Sequence, residues 1–458
     1  MQSARIRIAA FLMIAMLAVA QSLEADDWPQ FGGPNRDFSV SSTRFAEKWP
    51  GLGPPVLWTR PLGAGYSGIV VDPSRVYTIY HENQDDIVIA LSRSTGQTLW
   101  THRYAEPFKG EGYGGGPNAT PLLVNGRLFT LGGGGKFFCL DCSSGSVLWV
   151  HDLVTEFGAE VPWHGFSSSP IAFEDTIILP VGGKDGAGVV AFHQSDGRVV
   201  WMEHALMLGY SSPALIDVAG QLQLILYNKN NIMGLDPCTG AEQWEVVHRH
   251  VPQHNAALMP LWCPGDILWT SVRTAGEGDG SRAFRLRRTG DRTDVEELYW
   301  KSETGAEPYA NAVRIGDCVY TSVGHDRHAR VVAMDYRTGD VLWEHRGIGT
   351  ANMINAGGRL VILGEHGALL LAQPTREGLN FQCAAMLKTD RTWTSPSLAG
   401  TQLFVRDQAR ISALELGELV GQPAPVGMRK PLPIVGILKT LIGTLVLVGG
   451  VILWRRMS

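Results

Sequence analysis

Three groups of residues have the types and spacing that chemistry asks for. Cys139 and Cys142 are separated as in many thiolate metal or redox pairs. His248, His250 and His254 form H-x-H-x-x-x-H. Alternate residues of a strand share a face, so His248 and His250 are placed to grip one metal. Asp85-Asp86 and the loop Ala275-Gly-Glu-Gly-Asp-Gly280 gather oxygens of the kind calcium takes. Each group falls short of a complete set. The odd separation of Cys139 and Cys142 sends them to opposite faces of a strand. No Cys or carboxylate completes a site with the histidines, and His325-Asp326-Arg-His328 reads as a solvated turn. The acidic loops lack EF-hand spacing. G-x-S-x-G, a P-loop and a dinucleotide fingerprint are all missing, and the run Gly132 to Gly135 has no helix after it. These groups therefore supply no catalytic residue, metal ligand or cofactor ligand.

A fourth set is aromatic. Tyr113-Gly-Gly-Gly-Pro117, Trp163-His164-Gly-Phe166, Gly209-Tyr210, Pro308-Tyr309, Asn352-Met353 and Trp393 each precede a β-prone stretch. If the fold gathers them, Tyr113, Trp163, His164, Phe166, Tyr210, Tyr309 and Trp393 line a mouth for a ligand or a peptide, or simply plug it.

The elements that must gather them are repeated. Ala333-Met-Asp-Tyr-Arg-Thr-Gly-Asp-Val-Leu-Trp343 reads as a strand, a tight turn with Gly able to take φ > 0, and a second strand. Leu91 to Trp100, Leu140 to Trp149, Phe192 to Trp201 and Leu235 to Trp244 repeat the pattern, each Trp four residues after the Gly. Trp100, Trp149, Trp201, Trp244, Trp300 and Trp343 recur every 43 to 56 residues, the period of four-stranded propeller blades. In the fifth unit Trp300 stands ten residues after Gly290, so its last hairpin is lengthened. The seventh unit has Phe381 in place of Trp. The eighth, Trp393 to Leu416, lacks a Trp strand, while Val56-Leu-Trp58 near the start is a Trp strand without its hairpin. Placing Val56–Trp58 beside Ile411–Leu416 closes the ring and removes the open edge. The count is eight blades, or seven if the seventh unit is distorted. The blade tryptophans, Trp58 included, read as packing between neighbouring blades.

Composition agrees with an all-β chain of many turns: 54 Gly, 14 Trp and only 18% charged residues in 458. A net charge of −5 and the absence of a basic patch argue against nucleic acid. Residues 1–25, with Arg5 and Arg7 before the apolar Ile8–Ala20, have the pattern of a signal peptide. Residues 26–50 read as an extended lead-in, 51–416 as the propeller and 417–433 as a Pro/Gly linker. Ile434 to Trp454 is an apolar run broken only by Lys439, about 30 Å long as a helix and so long enough to cross a bilayer. Arg455-Arg456 and residues 455–458 then form a cytoplasmic tail, with the propeller on the periplasmic or extracellular side. An exported chain can pair some of its six Cys, and the sequence does not say which.

The text A-x-D-x-x-T-G-x-x-x-W, matched at Ala333, Asp335, Thr338, Gly339 and Trp343, resembles the repeat of pyrroloquinoline quinone (PQQ)-like propellers. Trp28-Pro-Gln-Phe-Gly-Gly-Pro34 resembles the start of exported members, and the resemblance runs over about residues 28–416. It implies an eight-bladed propeller of the quinoprotein alcohol dehydrogenase-like superfamily. That superfamily holds PQQ-dependent dehydrogenases and also the scaffold lipoprotein of the outer-membrane β-barrel assembly machinery, so fold alone does not assign activity. The dehydrogenases bind PQQ with Ca²⁺ beneath a disulfide of adjacent Cys. This chain has no adjacent Cys pair, and Cys139-Leu-Asp-Cys142 is followed by Ser143 rather than the His of a haem motif. The expected function is a membrane-anchored scaffold that binds a protein partner. A PQQ-dependent oxidoreductase and a carbohydrate or small-ligand binder are the alternatives.

Overall fold

Asp141 shows why the repeat keeps its Asp and its Gly. In the computed structural model its carboxylate accepts the backbone N–H groups of Ser143 and Ser144 at 3.1 and 2.9 Å, which closes the turn. Asp236 and Asp335 do the same for Cys238 and Arg337. Four residues after each Asp, Gly145, Gly240 and Gly339 donate N–H back to its carbonyl at 2.8 Å. They do so with φ of 74°, 77° and 73°, where a Cβ is strained.

A second reason lies across the blade boundary. A Cβ added at Gly96, Gly145, Gly197 or Gly240 would come within 2.8 Å of the ring of Trp58, Trp100, Trp149 or Trp201, each on the preceding blade. The same indoles donate Nε1–H to a carbonyl of the next blade's turn. Trp58 reaches Arg93 at 2.8 Å, Trp100 reaches Cys142 at 3.0 Å, Trp149 reaches Gln194 at 3.1 Å and Trp201 reaches Pro237 at 3.2 Å. Trp343 reaches Thr375 at 2.9 Å. Trp244 departs from this, donating to Gln223 Oε1 of its own blade.

The structure describes residues 27–41, 44–51, 53–106, 115–248, 257–272, 280–302, 304–324 and 328–418. They form eight sheets, one per blade, each built on four antiparallel strands, with innermost blade strands Val70–Val71, Leu122–Val124, Ile171–Phe173, Ala214–Val218, Leu261–Cys263, Ala312–Ile315, Ala351–Ala356 and Ser397–Ala399. The seventh unit is therefore a full blade. The eighth is completed by Val56–Pro61, which pairs with Arg410–Glu415 in the register Trp58↔Ala413 and Thr59↔Ser412. The segments 1–25 and 434–454 and most of 417–433 lie outside the described residues. Among the described residues no helix is long and apolar enough to cross a membrane.

The structure corrects two expectations. Trp300 does not occupy the blade position. In the other Trp blades the Trp faces a small residue next to a bulge, as in Trp100↔Ala90 and Trp343↔Ala333. In the fifth blade that partner is Ala283, and it faces Tyr299, whose hydroxyl donates to Tyr336 O at 3.0 Å. Trp300 is shifted by one and is 43% exposed, because a one-residue slip turns a side chain to the other face.

Nor is the lead-in extended. Trp28 is 2% exposed and bridges Val71, Pro29 O accepts from Leu123, and Ser39–Val40 adds a parallel fifth strand to Asn355–Ala356. Between these points the chain turns back through Gly32 and Gly33, at φ 78° and 77°. The six cysteines are unpaired, spread over five blades. Burial pushes the Cys139 and Cys263 thiols up to about 12.

Replacing Trp149 with Ala should cost about 3–5 kcal/mol, the range for deleting a buried Trp. Tyr299→Ala should lower the urea midpoint clearly, and Trp300→Ala should cost under about 1 kcal/mol. A loss at Trp300 as large as that at Tyr299 would contradict the register.

Candidate functional site

The segments leading into the eight innermost strands meet around the central channel, where hydroxyls stitch one blade to the next. Ser67 Oγ donates to Ala119 O at 2.7 Å, Ser168 Oγ to Ser211 O at 2.8 Å and Ser211 Oγ to Leu258 O at 2.9 Å. Ser397 Oγ donates to Ile69 O at 2.6 Å across the closure. Asn311 binds Met353 twice, through N–H and C=O, both at 2.7 Å. Small hydroxyl and amide side chains suit this place because they satisfy buried backbone groups without filling the channel.

The channel holds a cavity of about 200 Å³. Its floor is the lead-in: Trp28, Phe31, Gly32 and Phe38. Arg36, 7% exposed, fixes this floor. Its guanidinium donates to Pro213 O at 2.7 Å, Ser169 O at 3.0 Å, and Pro170 O and Gln30 Oε1 at 3.1 Å. Burial lowers its pKa, and this cage of oxygens keeps the cation satisfied.

The upper wall is aromatic. Tyr309 stacks on Trp393 with centroids 4.1 Å apart and planes 8° apart, and Tyr66 lies 5.4 Å from Trp393. Across the cavity His164 and Tyr210 are 5.5 Å apart. Glu365, buried behind Trp393, accepts its Nε1–H at 3.0 Å and the Thr350 N–H at 3.1 Å, and the Arg391 guanidinium lies 4.5 Å from the indole centroid.

Of the aromatic residues singled out in the sequence, the structure brings His164, Tyr210, Tyr309 and Trp393 to the cavity. Phe166 is 2% exposed and packs into the second blade's core, so it is removed from the mouth set. Trp163, 67% exposed, belongs to the same loop but does not line the cavity. Tyr113 lies outside the described residues. Tyr66 was missed, although Gly65-Tyr66-Ser67 precedes the first blade as Gly209-Tyr210-Ser211 precedes the fourth. The floor aromatics carried no signal beyond their Pro/Gly context.

A family model described as outer membrane protein assembly factor BamB matches residues 84–258. Outer membrane protein assembly factor BamB of Shewanella oneidensis is 23% identical over 300 residues, which cover 63% of this chain and 71% of the relative. Crystal structures of BamB from Moraxella catarrhalis (TM-score 0.55, 17% identity) and of quinohemoprotein alcohol dehydrogenase from Comamonas testosteroni (0.61, 12%) share the fold. The first covers 81% of this chain and 98% of its own, the second 90% and 83%. The chain is an eight-bladed β-propeller similar to these proteins.

Calcium in such a channel takes oxygens from carboxylates and amides. The described lining contains no Asp, Glu, Lys or Arg. Among the described residues no group of three or more His, Cys, Asp and Glu is placed to hold a metal. His248 is buried against Tyr227, 5.2 Å between rings, with Arg282 at 3.3 Å, while His250 and His254 lie outside the described residues, as do His325 and Asp326.

Asp85 pairs with Arg103 on the surface. Asp86 is buried, bound to His81 at 2.9 Å and close to Glu106 and Tyr104, and burial raises its pKa to about 6, with the His81 bond opposing. The folded chain therefore binds a proton between about pH 6 and 4 that the unfolded chain does not, so this group adds stability as pH falls through that window. Asp86→Asn should flatten thermal stability between pH 6.5 and about 4.5. A window unchanged by the substitution would contradict this. Below pH 4 the loss of Asp141, Asp317 and Asp340, whose hydrogen bonds and ion pairs lower their pKa values, reverses the trend.

Proposed function

We propose that this propeller is a scaffold of the cell envelope, exported and anchored by the 434–454 segment, that binds protein partners during outer membrane protein assembly. The observation that carries the reading is the channel lining, in which the described residues include no Asp or Glu to bind calcium or take a proton. The likeness to a relative named as an assembly factor supports it over a dehydrogenase. So does the rim. In most blades a polar residue follows the outer-strand Trp, as at Thr59, Thr101, Glu245 and Glu344. In blades two and three it is Val150 and Met202, exposed beside Val147, Leu148, Val199 and Val200. Exposed apolar stretches on an outer edge strand are what a protein partner covers.

The test places a photo-crosslinking amino acid at Val150 or Met202 of the full chain in its own membranes. The expected product is a discrete adduct with an outer-membrane β-barrel or a component that assembles it, weakened by Val150→Lys and Met202→Lys. Saturable PQQ binding with calcium-dependent oxidation of an alcohol would contradict the scaffold reading.

A further inference from the structure

The cavity has two unlike walls. On the arc from blades two to four, Thr120 Oγ1 accepts the Gly68 N–H at 3.2 Å, Ser169 Oγ accepts the Thr120 N–H at 3.0 Å, and Ser212 Oγ accepts the Ser169 N–H at 2.9 Å. Each hydroxyl spends a lone pair on stitching the blades, and among the described residues none donates its own proton to a protein acceptor. All three line the cavity, so three O–H donors border it in a row. The opposite arc, from blades six, eight and one, is the aromatic wall of Tyr309, Trp393 and Tyr66.

Trp28, Phe31 and Phe38 form the floor, and the described lining contains no Asp, Glu, Lys or Arg. A ligand that fits offers oxygen acceptors on one side and a flat C–H face on the other, and carries no net charge. An anion or cation would lose its hydration with nothing of opposite sign in the described lining to replace it. A purely apolar ring would leave the three hydroxyls dry.

We infer that the mouth is a binding site for a single pyranose ring of an uncharged glycan, its C–H face on the aromatic wall and its oxygens on Thr120, Ser169 and Ser212. The cavity of about 200 Å³ takes one sugar residue, with the rest of the glycan leaving past Tyr210 and His164. The site is separate from the blade rim, so it stands whether or not a protein partner binds there.

The probes are maltotriose, cellotriose and tri-N-acetylglucosamine, with trigalacturonate as the charged control. Each is titrated into the full chain, free of sugar-headed detergent, and followed by tryptophan fluorescence and calorimetry. At least one neutral trisaccharide should bind saturably with one site and trigalacturonate should not. Ser212→Ala should weaken binding about fivefold, the loss of one hydrogen bond, and Tyr309→Leu by more. Thr120→Val provides a second donor deletion if Ser212→Ala unfolds, and melting curves report the fold of each variant. Absence of saturable binding by all three neutral sugars overturns the inference. So does binding that folded Tyr309→Leu and donor-deleted variants leave unchanged, or tighter binding of trigalacturonate.

Discussion

One contact sets the geometry of the ring: an indole of one blade resting on the turn glycine of the next and donating to a carbonyl of that turn. The contact fixes two things together. It needs a flat ring with a donor on its edge, which Trp supplies. The turn must have no Cβ, which only Gly supplies. In blades two, four and six an Asp upstream also holds the turn's amides. Most blades meet the two demands with the same Trp and Gly because the contact is with the neighbour, not within the unit. The fifth blade meets them with a tyrosine, whose hydroxyl does the work of the indole N–H across to Tyr336.

A ring built this way has a hole, and a hole lined by backbone must be satisfied. Above, hydroxyls and amides of the innermost strands bond from blade to blade. Below, the lead-in closes the channel, and Arg36 ties it to carbonyls of the third and fourth blades. A second buried arginine, Arg406, does similar work at the closure, donating to Ser67 O, Thr78 Oγ1, Ile79 O and Gly63 O. The result is a funnel with an aromatic wall and a floor of lead-in aromatics, and its described lining carries no Asp, Glu, Lys or Arg.

Much of this was legible in the residues and some was not. The spacing of Gly and Trp gave the blades, and the unpaired Trp58 strand gave the closure, because both are local texts with one structural meaning. The displacement of Trp300 by Tyr299 was hidden, since a bulge shifts register by one and two adjacent aromatics look alike in a lengthened hairpin. The lead-in was hidden for a different reason. Pro29, Gly32, Gly33 and Pro34 announce turns, but not that the turns are packed inside a ring whose walls lie up to three hundred residues away. At the mouth, Tyr309 and Trp393 were placed by the repeat, whereas Phe166 occupies an equivalent stretch and points into the core, a choice that packing rather than spacing makes.

The closure is the claim on which ring, floor and funnel all rest. Thr59 Oγ1 and Ser412 Oγ lie 2.8 Å apart across it, from opposite ends of the propeller sequence. A chain carrying Thr59→Cys and Ser412→Cys, oxidised mildly and mapped by mass spectrometry, should yield one intramolecular disulfide joining these two positions in the monomer. Failure to form that link, or its appearance only between molecules, would contradict the closed ring.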